Sequence, residues 1–258
     1  KNVCAYNLHN VSLRHYYTIK QRKEMEKLSI YNLIILDESG SMSCIKDQAL
    51  SGLNETITSI SSAIEEDPDQ VHKVSLVAFN TEHQNYIFDL TDAKNCHTIS
   101  SHDYQPDGGT PLYDAMGNAF SKLKKTIKPD ENFRVLVTVI TDGMENASRE
   151  YSANAIAMII DGLKKDNWIF TYIGANQDAV EEASKLNISN SMNWVESEIG
   201  TCNMLREERA ARSNFYKRVR NESSENLNRH YFEEKDNADK KEKREEKKDH
   251  KRGNGLWF

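Results

Sequence analysis

Apolar positions along the chain change period in a repeating way. Residues 30–36 form a near-continuous apolar run, the pattern of a strand covered on both faces. Ile45, Ala49, Leu53, Ile57, Ile60 and Ile64 then recur at three- and four-residue spacing, which predicts one stripe of a helix. The stretch EEDPDQ breaks it. Residues 74–79 read as a second strand, with YIFDL near residue 88 as its antiparallel edge partner. A Gly108-Gly109 loop feeds a helix over 111–127, with Pro111 suited to the first helical position. A strand over 133–141, a helix over 153–164, a strand over 168–173, a helix in GANQDAVEEASKL and a last strand in SMNWV complete the alternation.

Strands alternating with helices predict an α/β fold: a doubly wound, mainly parallel sheet with helices on both faces and one antiparallel edge strand. This unit is expected over residues 28–198. Residues 199–232 follow as an amphipathic helix, with Met204, Ala211, Phe215 and Val219 on one stripe. Residues 233–258 are a tail of interleaved charges, read as a solvated helix or a disordered segment, with an interaction tail ending in GLWF as the alternative. Residues 1–27 are set apart as an N-terminal extension. Met25 resembles a natural start, so residues 1–24 are read as an upstream extension, tag or fusion remnant, with a genuine arm the alternative.

Two of the predicted strands end on aspartate: LIILDESGSM stops at Asp37 and VLVTVITDGMEN at Asp142. In a doubly wound sheet, ligands bind beyond the carboxyl ends of the strands, where strand order reverses. Asp37 and Asp142 are therefore expected side by side, and two such carboxylates repel unless something positive lies between them. Ser39 and Ser41 add hydroxyls on the turn after the first strand, and Thr110 adds one from the glycine loop. Carboxylate, hydroxyl and water oxygens without thiolate or imidazole are a hard-cation set, fitting Mg²⁺ or Mn²⁺. His83, His97 and His102 read as surface residues.

These same residues carry a family resemblance. DESGS at 37–41, GGTPLYDA at 108–115 and TDG at 141–143 resemble the metal-ion-dependent adhesion site of the von Willebrand factor A family. The resemblance covers about residues 28–195. It implies that Asp37, Ser39, Ser41, Thr110 and Asp142 hold the ion, some directly and some through water. It further implies metal-dependent protein binding, with the partner supplying an Asp or Glu. ITDGMENAS and FTYIGANQDA look most like bacterial and phage-encoded intracellular members, where such domains also act as adaptors for AAA+ ATPases or in stress and defence systems.

The remaining features narrow the alternatives. A formal net charge of -6, with 29% charged residues, gives no argument for nucleic acid. No apolar run approaches the roughly 20 residues of a membrane helix. Four cysteines without a C-x-x-C pair read as free thiols of a reducing compartment, and a cytoplasmic location is expected. Cys44 reads as a small buried thiol. A Mg²⁺- or Mn²⁺-dependent phosphoesterase is the enzymatic alternative. Against it, Ser39 stands where aspartyl phosphatases carry a second acid, and ESGSM lacks the nucleophile-elbow glycine. Glu38, Asp107 and Glu145 read as surface loop residues, so no enzyme is expected. Asp114 reads as an acid behind the metal site or as a first-turn residue favoured by the helix dipole. Gly174 is expected to end its strand, and Asn176 to cap the next helix.

Overall fold

Six strands form one sheet in the order β3-β2-β1-β4-β5-β6. They are β1 (Leu28–Asp37), β2 (Gln70–Phe79), β3 (Gln84–Asp92), β4 (Phe133–Thr141), β5 (Trp168–Ala175) and β6 (Asn190–Trp194). The computed structural model describes residues 27–129, 131–175, 179–194 and 197–232. The expectations for residues 1–26, Asn176 and the tail 233–258 lie outside these.

β1 runs parallel to β2 and to β4, and β5 and β6 continue the parallel set. Only β3 is antiparallel, along the outer edge of β2. The chain winds outward from β1 to one side and, after the crossover to β4, to the other. The reversal point is the gap between β1 and β4, and the carboxyl ends of both strands open there.

Side-chain alternation on β1 splits the core in two. Ile30, Ile34 and Leu36 face α1 (Lys46–Glu66), α5 (Glu198–Arg218) and α6 (Ser224–Arg229). Leu33 and Ile35 face α2 (Leu112–Thr126), α3 (Ala153–Lys165) and α4 (Ala179–Lys185). Met204, Phe215 and Val219 of the C-terminal helical segment are buried in the first cluster, with Ala211 at its margin. The predicted stripe of α1 is buried through Ile60. Among the described residues, no helix is long and apolar enough to cross a membrane.

Several boundaries differ from the sequence reading. α1 is preceded by a 3-10 turn over Gly40–Ile45, so its regular helix begins at Lys46. Pro111 is the N-cap of α2, with φ -81° and ψ 62°, rather than its first helical residue. Gly174 lies within β5, opposite both Thr141 and Asn193, and does not end the strand. Cys44 is exposed, because the 3-10 turn points Met42 and Ile45 inward and leaves the intervening thiol outside.

Candidate metal centre

β1 ends at Asp37, whose side chain is fully buried. Burial lifts its carboxyl above the ordinary carboxylate range, and hydrogen bonds from Thr141 and Ser39 only partly offset this. The Ser39 amide donates to Asp37 Oδ1 at 2.7 Å and the Thr141 hydroxyl to Oδ2 at 2.6 Å. Among the described residues, no lysine or arginine forms an ion pair with Asp37. The carboxylate is desolvated without a cation from among the described residues.

The other predicted oxygens gather around it. Ser41 Oγ lies 3.1 Å from Ser39 Oγ and donates to Asp142 Oδ1 at 2.8 Å. Thr110 is buried and enters from the glycine loop. A methyl group placed on Gly143 would stand 3.3 Å from Thr110 Oγ1, 3.7 Å from Ser41 Oγ and 3.8 Å from Asp37 Oδ2. Gly143 therefore borders a small space shared with three of the five oxygen-bearing side chains, and hydrogen bonds to Ser41 tie in the other two. Ser41 is exposed, so the cluster has a mouth as well as a sealed floor.

Two carboxylates and three hydroxyls suit a hard divalent ion, whereas zinc prefers sulfur or nitrogen. Among the described residues, no group of three or more His, Cys, Asp and Glu side chains is placed to hold an ion. The set at β1 and β4 depends on hydroxyl oxygens instead. The residues fit Mg²⁺ or Mn²⁺.

Three loops are stitched together to hold this cluster. Gly40 N–H donates to the Gly108 carbonyl at 3.0 Å, and Asp107 N–H to the Glu38 carbonyl at 2.9 Å. Gly108 adopts φ +70°, and a Cβ there would meet Thr81 Oγ1 at 2.4 Å, so both conformation and space require glycine. The Tyr104 hydroxyl donates to the Asp37 carbonyl at 2.7 Å. The loop after Asp142 is clamped to α2: Asp114 accepts the amides of Arg149, Glu150 and Tyr151, at 2.7 to 2.9 Å. Asn146 Oδ1 accepts the Thr110 amide at 2.9 Å.

Sequence reasoning missed part of this support. Glu38 is buried, not a surface residue. It accepts the Gln105 amide and lies 3.0 Å from His83 Nε2. Glu145 accepts the amides of Tyr113, Ala147 and Ser148, and the Ser148 hydroxyl. Thr141 and Tyr104 were not singled out. Thr141 was legible in principle, because a hydroxyl one residue before a strand-end aspartate is well placed to bond a neighbouring strand's last side chain.

A doubly wound sheet with an oxygen-lined cluster at its switch point defines an α/β domain with a candidate ligand site. Residues 33–204 match the model of the von Willebrand factor type A domain, and the chain belongs to that family. It is similar in structure to the pilus adhesin SpaC from Lactobacillus rhamnosus GG, with a TM-score of 0.53 and 12% identity over 74% of this chain and 31% of that one. The SpRpn10 VWA domain gives a TM-score of 0.49 and 13% identity over 69% of this chain and 94% of that one. The manganese-loaded TRAP protein of Plasmodium vivax gives a TM-score of 0.43 and 18% identity over 65% of this chain and 68% of that one. No curated protein matches the sequence.

Proposed function

We propose that the chain is a metal-dependent protein-binding module. The observation carrying this is the buried Asp37 carboxylate, held by Ser39 and Thr141 but lacking a cationic partner, beside Ser41, Thr110 and Asp142. Bound there, Mg²⁺ or Mn²⁺ supplies a positive centre with an exchangeable position that an Asp or Glu of another protein fills. The chain's own residues do the rest. Asp37 and Asp142 supply the negative charge, and Ser39, Ser41 and Thr110 complete the oxygen set without adding more. Glu38, Asn146 and Asp114 hold the three loops in place. The partner approaches through the mouth beside Ser41.

The phosphoesterase reading gains no support, since the nearby acids Glu38 and Glu145 are already occupied by amide and hydroxyl donors. The sequence motifs favour an intracellular bacterial or phage-type member in the cytoplasm. A companion AAA+ ATPase or a stress or defence subunit is the class of partner that family analogy suggests. The test is recovery of partner proteins in Mg²⁺ against EDTA, with Ser39→Ala and Asp142→Ala. Loss in all three conditions supports the reading, and unchanged recovery in all three discards it.

A further inference from the structure

A cleft of about 590 Å³ opens directly beside the candidate metal centre. Its near end is formed by Pro111, the residue after Thr110, and by Asn146, whose side chain holds the Thr110 amide. It is lined by the turn from Asn80 to Gln84 between β2 and β3, by Asp114, Ala115 and Asn118 of α2, and by the loop ending at Arg149. Four amide side chains, Asn80, Gln84, Asn118 and Asn146, are in the lining, and three of them use one end internally. Asn80 Oδ1 accepts the Glu82 and His83 amides, Asn146 Oδ1 accepts that of Thr110, and Gln84 Nε2 donates to the Ala115 carbonyl. The opposite ends remain to hydrogen-bond a peptide backbone, which presents one donor and one acceptor per residue.

Charge in the cleft is unevenly settled. Asp114 keeps its charge with both oxygens taken by backbone amides, His83 is held by Glu38, and Glu82 is exposed on the turn across from Arg149's loop. Arg149 is exposed, and among the described residues its guanidinium forms no ion pair. A planar fork of donors lining a polar cleft matches a carboxylate.

We infer that the partner binds as an extended segment with two acidic residues: one at the metal centre and a second along the cleft at Arg149. This rests on the proposed metal-dependent binding. Selection of a displayed random-peptide library on the full chain in Mg²⁺, then titration of enriched peptides, tests it. Enriched sequences are expected to carry two acids at a fixed spacing. Arg149→Glu is expected to weaken them by roughly three- to tenfold. Neutralising the second acid should weaken binding to the parent and recover part of the lost affinity in the variant, where the substituted carboxylate repels it. Lys125→Glu, the same charge change elsewhere on the surface, should leave affinity unaltered. Magnesium-dependent peptides with one acid, or with a second acid uncoupled from Arg149, overturn this inference and leave the metal-dependent reading standing. Enrichment indifferent to EDTA, or no enrichment, overturns both.

Discussion

Gly143→Ala isolates the space between the five oxygens from the fold that positions them. Gly143 is not among the positive-φ glycines, so alanine meets no backbone penalty there. Its methyl would reach Thr110 Oγ1 at 3.3 Å, with Ser41 Oγ and Asp37 Oδ2 at 3.7 and 3.8 Å. In metal-free protein only the first contact is tight, and a few tenths of an ångström at the threonine relieves it. The cost should stay within about 1 kcal/mol. An ion is less forgiving, because Mg²⁺ requires near-octahedral oxygens at about 2.0–2.1 Å. At a magnesium concentration of roughly a hundred dissociation constants, binding stabilises the parent by about 2.7 kcal/mol. For a chain of this size that corresponds to a rise in Tm of roughly 5–10 °C. Thermal unfolding in EDTA and in Mg²⁺ is the assay. The variant should match the parent in EDTA within about 4 °C and lose most of the magnesium-dependent rise. A full rise in Gly143→Ala would show that the ion does not occupy this space, and the absence of a rise in the parent would remove the centre altogether.

Three further outcomes follow from the packing around the sheet. Arg212 is fully buried and bonds Glu208 at 2.8 Å and Thr138 at 2.7 Å. Arg212→Ala should therefore cost about 3–5 kcal/mol in urea unfolding, while Arg212→Met with Glu208→Leu should recover most of it. A Cβ on Gly52 would meet the Leu205 side chain at 1.9 Å. Gly52→Ala should thus destabilise by about 1–3 kcal/mol, with Leu205→Val restoring part, as read from the urea midpoint. His72 is buried, and that burial together with the Arg212 charge lowers its pKa from 6.5 to about 4. The unfolded chain then binds the extra proton first, so His72 costs stability as pH falls from 6.5 to 4, about 3 kcal/mol in all, and nothing above that window. Unfolding of the parent and of His72→Phe across this range should differ in slope; parallel curves would contradict the depressed pKa.

The elements that carry the candidate metal centre were legible because their signals are local. A buried strand reads as a continuous apolar run, and the run from Ile30 to Leu36 stops at Asp37. The edge strand β3 was read from YIFDL, which follows the second strand closely. Glu38, Tyr104 and Arg212 were not legible, since each is enclosed by at least one partner far away in sequence. Glu38 sits on a turn like any exposed acid until Gln105 and His83 close over it. Arg212 stands four residues after Glu208 in REERAARSNF, the pattern of an exposed helical ion pair. Its burial had one faint signal in the strands themselves. Asn32 and Thr138 interrupt the apolar runs of β1 and β4, and a buried amide or hydroxyl requires a partner. Cys44 failed for a related reason, because a single turn of 3-10 helix shifted which side chain faced inward.

β1 carries two polar interruptions, Asn32 and Asp37, and the fold answers them differently. Asn32 Oδ1 accepts the Tyr216 hydroxyl at 2.6 Å and Arg212 Nη1 at 3.3 Å, while Glu208 balances the guanidinium. Every charge in that group is met from within the chain, so it fixes how α5 lies on the sheet and has nothing left to offer a ligand. Asp37 receives neutral donors from Ser39 and Thr141 but no cation, and its surroundings are two more hydroxyls and a second carboxylate. Neutral donors soften the repulsion of paired carboxylates without cancelling it. On the proposed reading, a positive charge from outside is what completes the cluster, and the exposed Ser41 marks where it would enter. The same rule of buried polar compensation thus produces a closed structural cluster at one point of β1 and an open binding centre at its end.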